Sequence, residues 1–567
     1  MAPARTGDRW MTVPLSLSQA QGRTDTPLIA QTIGQFFDAM AARQGAREAL
    51  VCRHQGLRYT YAQLHAEVRR LASALLGLGL EKGDRIGIWS HNNAEWVLMQ
   101  FATAQVGLVL VNINPAYRTS EVEYALNKVG CKALVTMARF KTSDYAGMLQ
   151  ALGRARLPQL QHIFWIDTPG QGDEISGMQR FSALLARGDA QDARIDAVAA
   201  TLANTDPINI QFTSGTTGFP KGATLTHRNI LNNGFFIGEC MQLTPEDRLC
   251  IPVPLYHCFG MVLGNLACVT HGATIVYPND GFDPLLVLET VQAERCTGLH
   301  GVPTMFIAEL QHPRFAEFDL STLRTGIMAG SPCPIEVMKR VVSDMHLSQI
   351  TIAYGMTETS PVSCQSSTET PLEKRVATVG QVQPHLQVKI VHPETGEVVP
   401  VGQSGELCTR GYSVMHGYWG DAEKTREAID EDGWMHTGDL ATMDAEGYVN
   451  IVGRIKDMVI RGGENIYPRE IEEFLYRHPQ VQDVQVVGVP DARYGEELCA
   501  WIIAKPGTQP TEDDIRAFCK GQIAHYKVPR YIRFVPGFPM TVTGKIQKFK
   551  IRDEMKNSLG LAEERTA

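Results

Sequence analysis

The stretch Thr213-Ser-Gly-Thr-Thr-Gly-Phe-Pro-Lys-Gly222 decides the fold. It follows an apolar run at 208–212 that reads as a strand, and it precedes a helical pattern at 226–241. Gly215, Gly218 and Gly222 let the backbone approach an anion closely. Thr213, Ser214, Thr216 and Thr217 supply four hydroxyl donors, successive N–H groups can form an anion nest, and Lys221 adds a positive charge. The segment therefore reads as a phosphate-binding loop, Phe219 and Pro220 included. It is not a Walker A loop, because Lys221 stands between Pro220 and Gly222 and no Ser or Thr follows it.

Working outward, short apolar runs alternate with helical stretches from about residue 36 to 352. Strands are expected at 85–89, 108–113, 133–137, 162–166, 249–252, 273–277, 297–300, 324–328 and 349–353. Helices are expected at 94–106, 284–294, 304–311 and 334–346, the first of them capped by Asn92 or Asn93. This alternation predicts an α/β fold with parallel sheets covered by helices. After about Gly380 the strands become short and the turns rich in Gly and Pro, which predicts a β-rich subdomain. From about Asp457 a small α+β unit follows, with a helix near 511–522 opened by Thr511 and Asp514. The expected division is a 1–30 extension, a large domain at 31–453 (β-rich from about 380), a hinge at 454–457 and a mobile domain at 458–567.

The composition excludes several classes. A chain of 567 residues with 44% hydrophobic and 20% charged residues exceeds what one core can organise. No apolar run is long enough for a membrane span; residues 261–277 come nearest, but Asn265 and His271 interrupt them, which favours a buried helix followed by a strand. A net charge of −8 without a basic block gives no nucleic-acid surface. Twelve cysteines without a CxxC pair read as reduced core thiols, so cytoplasm is the expected compartment. The N-terminal residues lack the apolar stretch of a secretory signal.

Four further motifs stand in order along the chain: Ala329-Gly-Ser-Pro332, Tyr354-Gly-Met-Thr-Glu-Thr359, Gly433-Trp-Met-His-Thr-Gly-Asp-Leu440 and Pro539-Met-Thr-Val-Thr-Gly-Lys-Ile546. With the phosphate loop, they make the chain resemble the adenylate-forming superfamily of acyl-CoA synthetases, luciferases and peptide-synthetase adenylation domains. The stretch at 457–468 is most similar to the fatty-acyl-CoA synthetase branch.

The resemblance implies ATP, Mg²⁺ and CoA as partners, along with a small carboxylic acid. It implies that Tyr354 and Gly355, with Gly330 and Ser331, frame the adenine, that Thr357 contacts the α-phosphate and that Glu358 holds Mg²⁺. Asp439 would accept both ribose hydroxyls, and Arg454 would be a second ribose or phosphate contact. Lys545 would reach between the acid and the α-phosphate. His257 would line the acid site in an orienting role; a carboxylate nucleophile is already ionised at neutral pH and needs no base. Lys456 falls at the family's hinge, and Gly462 and Gly463 would flank the channel for CoA. An acid pocket built from Phe235, Phe236, Phe259, Met261, Val302, Met305 and Met356 is apolar and suits a medium or longer fatty acid, or an aryl acid.

The implied activity is an ATP-dependent acid:CoA ligase acting through acyl-AMP. Two other readings stay open on sequence alone. One keeps adenylation but passes the acyl group to another acceptor, such as a carrier protein. The other is a non-catalytic nucleotide-binding homologue. The sequence also leaves the oligomeric state open, a homodimer included.

Overall fold

In the computed structural model, the described residues are 14–167, 174–213, 220–331, 333–461, 464–491, 493–520, 522–541 and 545–560. The apolar runs pair into two large sheets. One has eight strands in the spatial order Gln179–Arg180, His162–Ile166, Ala133–Met137, Arg85–Trp89, Val109–Asn112, Pro207–Thr213, Lys221–Thr226 and Gly417–Tyr418. Its first six strands are parallel and its last two antiparallel. The other has nine strands, with a parallel core running Gln349–Gly355, Thr325–Ala329, Gly298–Gly301, Arg248–Cys250, Thr274–Tyr277 and Glu48–Cys52. Such strands are buried on both faces, which is why they read as continuous Val/Ile/Leu runs rather than alternating ones.

A third, antiparallel sheet holds Leu386–Val391, Gly405–Gly411, Met435–Met443 and Val449–Arg454. Gln19–Gln21, from the segment expected to be an extension, adds its edge strand. The last sheet is built on the long hairpin Val481–Asp491/Gly495–Ala504. Helices Pro468–Leu475 and Lys548–Leu559 pack on it.

Local chemistry explains the helix starts. Asn93 caps Ala94–Gln105 by accepting from the Trp96 N–H at 3.0 Å. Thr511 and Asp514 cap Glu512–Cys519 reciprocally, as the sequence pattern predicts. Within 261–277 the expected helix and strand are present, but Phe259–Leu266 is a π-helix that continues into Ala267–His271. Gln100 donates to the Met261 carbonyl at 3.1 Å and accepts from Asn265 at 2.8 Å, and Tyr277 donates to Asn265 at 2.5 Å. These bonds satisfy the polar interruption inside the core.

The helix expected at 226–241 is present as His227–Cys240, but a strand that the pattern does not predict stands ahead of it. Residues Lys221–Thr226 form a strand antiparallel to Pro207–Thr213, with Thr213 opposite Lys221, and only then does helix His227–Cys240 begin. Buried backbone at this sheet edge must be paired, and pairing with both Pro207–Thr213 and Gly417–Tyr418 satisfies it.

Helix Pro303–Leu310 carries a buried acid. Glu309 is 1% exposed, and among the described residues neither of its carboxylate oxygens has a hydrogen-bond partner. Burial holds its pKa well above the ordinary 4.5. Below that ordinary value the group is protonated in both folded and unfolded chains. As pH rises towards the higher folded value only the unfolded chain ionises, and stability is lost. Glu309→Met is therefore expected to raise the unfolding free energy in urea by about 2 kcal/mol at pH 8, and by less at pH 5. An equal gain at both pH values would assign the effect to packing instead.

Candidate active site

Thr213, Gly330, Tyr354 and Gly355 lie where parallel strands reach their carboxyl ends, the usual ligand crevice of open α/β sheets. Thr213 ends its strand and Lys221 starts the next; Ser214, Gly215, Thr216, Thr217, Gly218 and Phe219 lie outside the described residues. The Pro220 carbonyl accepts from the Tyr124 hydroxyl at 3.2 Å, which anchors the end of the loop. The Lys221 ammonium donates to the Tyr418 hydroxyl at 3.1 Å and lies 4.2 Å from the centre of its ring.

Strand Gln349–Gly355 delivers Tyr354 and then the turn Thr357–Thr359. Gly355 is required there, since a Cβ would lie 1.7 Å from the Pro361 carbonyl oxygen as the chain doubles back. Thr357 and Glu358 are buried, and one Glu358 oxygen accepts from the Tyr418 hydroxyl at 2.8 Å. Burial, reinforced by the Glu358 charge, pushes the Tyr418 phenol far up, so it stays protonated and donating.

The third sheet brings Asp439 and Arg454 together as directly opposed residues of neighbouring strands. Arg454 Nε donates to Asp439 Oδ1 at 3.1 Å, and Tyr354 donates to Asp439 Oδ2 at 2.6 Å. Each carboxylate oxygen keeps a free lone pair, enough to accept a vicinal diol. The turn before Asp439 is braced: Glu406 accepts from the Gly438 N–H at 3.0 Å and pairs with His436 at 2.9 Å, and Thr437 donates to the Leu407 carbonyl at 2.6 Å.

Gly330 ends strand Thr325–Ala329 with φ at 93°, the left-handed region, and Ser331 follows it. A Cβ on Gly330 would stand 3.1 Å from Val302 and 3.9 Å from the Lys545 Cε, so Lys545 reaches into the crevice from the C-terminal unit. Its backbone is tied to Thr541: the Lys545 N–H donates to the Thr541 hydroxyl at 3.1 Å, and the Thr541 N–H donates to the Lys545 carbonyl at 2.8 Å. Burial, with the nearby Arg454 charge, lowers the Lys545 pKa, while Asp439 and Glu358 pull it back up.

His257 is brought to the same place. Its Nδ1 accepts from the Phe259 N–H at 3.2 Å, which leaves the proton on Nε2. Burial and the Lys545 charge lower its pKa to about 3, so it is a neutral hydrogen-bond donor at pH 7. Phe259, Met261, Val302 and Met305 share one buried cluster, and Met356 packs against it. Phe235 and Phe236 do not join them: they pack in another cluster, near His271, His385 and Tyr412.

Lys456 lies exposed in the short turn Ile455–Asp457 that joins the third sheet to the C-terminal unit. Gly462 and Gly463 lie outside the described residues. The residue that sequence reasoning missed is Tyr418. It stands 197 positions from Lys221 and 60 from Glu358, and nothing in the run His416-Gly-Tyr-Trp419 announces the contact.

Comparisons with known proteins identify the family. Residues 37–419 match the AMP-binding enzyme family, and residues 470–545 match the AMP-binding enzyme C-terminal domain. YngI of Bacillus subtilis (strain 168) is 50% identical over 93% of this chain and 97% of its own length. The medium-chain acyl-CoA ligase ACSF2, mitochondrial, of Rattus norvegicus is 47% identical over 96% of this chain and 91% of its own. The crystal structure of the anthranilate CoA ligase AuaEII in complex with anthranoyl-AMP superposes with a TM-score of 0.85 at 28% identity, over 95% of this chain and 99% of that one. The chain therefore belongs to the AMP-binding enzyme family, within its acyl-CoA synthetase branch.

Proposed function

We propose that this acid:CoA ligase activates a medium-chain carboxylic acid at the crevice formed by Lys221, Glu358, Asp439, Arg454 and Lys545. The observation that carries the reading is the insertion of Lys545 beside Gly330, within the electrostatic reach of His257, Asp439 and Glu358. In the first half-reaction the acid's ionised carboxylate attacks the α-phosphorus of ATP, the bond to pyrophosphate breaks, and acyl-AMP forms. Lys545 offsets the charge of the two anions as they meet, and Thr357 donates to the α-phosphate. Lys221 and the loop at 213–222 hold the departing pyrophosphate. In the second, the thiol of CoA attacks the acyl carbon, its proton is released and AMP leaves.

The oxygen donors suit a hard cation: the buried Glu358 carboxylate faces the phosphate-loop lysine through one hydroxyl, and its second oxygen remains for Mg²⁺. Bound there, Mg²⁺ would supply charge neutralisation to the triphosphate. Asp439 accepts the ribose hydroxyls beside Tyr354, and the neutral His257 orients the acid through Nε2–H. In this reading residues 31–453 bind ATP and the acid, 454–457 with Lys456 form the hinge, and 458–567 turn so that Gly462 and Gly463 meet CoA. All twelve cysteines are free and eleven are buried, which supports a reducing compartment such as the cytoplasm. No helix of the described residues is long and apolar enough to cross a membrane.

Medium chain length is supported by the naming of ACSF2 in several species, at 46–47% identity, and by the apolar lining of Phe259, Met261, Val302, Met305 and Met356. The test is a panel of acids from acetate to palmitate, with benzoates and cinnamates, assayed for pyrophosphate release with CoA. The highest kcat/KM is expected at medium chain length. A maximum on aryl acids would overturn the chain-length assignment.

A further inference from the structure

Between Lys221 and Glu358 stands a single phenol, and its position is built rather than incidental. Tyr418 lies on the short strand Gly417–Tyr418, opposite Ala223 of Lys221–Thr226. In a sheet, residues two apart share a face, so Tyr418 and Lys221 point the same way as diagonal neighbours. The same segment is tied to both halves of the site. The Met415 N–H donates to the Glu358 carbonyl at 2.9 Å, and the His416 N–H donates to the Thr224 carbonyl at 2.9 Å. Residues 415–418 thus lock the hairpin that carries the phosphate loop to the turn that carries Glu358.

We propose that Tyr418 is a positioning residue that sets the gap between Lys221 and Glu358 into which the metal-bound triphosphate fits. This rests on the assignment of those two residues to the phosphates and to Mg²⁺. A hydroxyl is suited to the task because it can accept from an ammonium and donate to a carboxylate at once. It does both here, at 3.1 and 2.8 Å. Without it, opposite charges this close would collapse into a direct ion pair and occupy each other's ligand-binding sites. With it, Lys221 keeps two donors for phosphate oxygens and Glu358 keeps an oxygen for the cation. The ring has a separate role, since Lys221 lies 4.2 Å from its centre. Tyr418→Phe keeps that stacking and removes only the spacer.

The experiment measures ATP affinity by calorimetry on the full chain, with Mg²⁺ present and with Mg²⁺ removed by chelation. For Tyr418→Phe, ATP affinity with Mg²⁺ is expected to fall about 10-fold and affinity without it to stay within about 2-fold. The thermal midpoint of the free protein should be unchanged, and attack of CoA on supplied acyl-AMP should be spared. Lys221→Met and Glu358→Gln are measured alongside. If those two lose the Mg²⁺-dependent gain and Tyr418→Phe keeps it, the spacer role is overturned while the site assignment stands. If all three keep it, the site assignment itself fails and the spacer role with it. Equal loss of ATP affinity with and without Mg²⁺ in Tyr418→Phe would reduce the residue to a structural part and also overturn the proposal.

Discussion

Replacing Lys545 with alanine is expected to cut acid-dependent ATP–pyrophosphate exchange about 10³-fold and to leave the attack of CoA on supplied acyl-AMP nearly unchanged. The reason is specific to the first half-reaction. A carboxylate must approach an α-phosphate, and the half-buried ammonium beside Gly330 and near Glu358 is positioned to offset that repulsion. No such meeting of anions occurs when a thiol attacks the acyl carbon. Exchange and thiolation are measured separately with the same acid. An equal loss in both would mean that the substitution disturbs the whole crevice. The wild-type exchange rate should also fall on the alkaline side at a pH below an ordinary lysine's 10.5, because burial has lowered the Lys545 pKa.

Asp439→Asn is expected to raise the KM for ATP about 30-fold, since a neutral amide cannot replace two charge-assisted bonds to a diol. It should also change the pH dependence. Asp439 raises the Lys545 pKa and Arg454 lowers it. Removing the carboxylate's charge leaves the weaker pull of Glu358 against burial and Arg454, so Lys545 loses its proton at a lower pH and the alkaline limb of exchange moves acidward. The pH profile of exchange at saturating ATP reads this directly. A higher KM with an unmoved limb would show that Asp439 and Lys545 act independently.

Much of this was legible in the chain. The strand–helix alternation rests on local periodicity, and Arg85–Trp89, Ala133–Met137 and His162–Ile166 run over the residues the pattern predicts. The glycines and hydroxyls of 213–222 announce an anion site because few other roles need so many donors in ten residues. Lys221–Thr226 was not legible as a strand, because only a neighbouring sheet edge with unpaired backbone makes it one. The helical pattern of 226–241 likewise could not say that Phe235 and Phe236 pack in a different cluster from Phe259, Met261, Val302 and Met305.

The sequence by itself determined the phosphate loop, the order of the motifs and the α/β layering, because these depend on residue type and spacing along the chain. Only the tertiary structure decided that Lys221 and Glu358 meet through Tyr418, that Asp439 is shared by Tyr354 and Arg454, and that His257 stays neutral beside Lys545. Each of those facts is a distance or a burial between residues far apart in sequence, and charge, hydrogen bonding and pKa are set by neighbours in space.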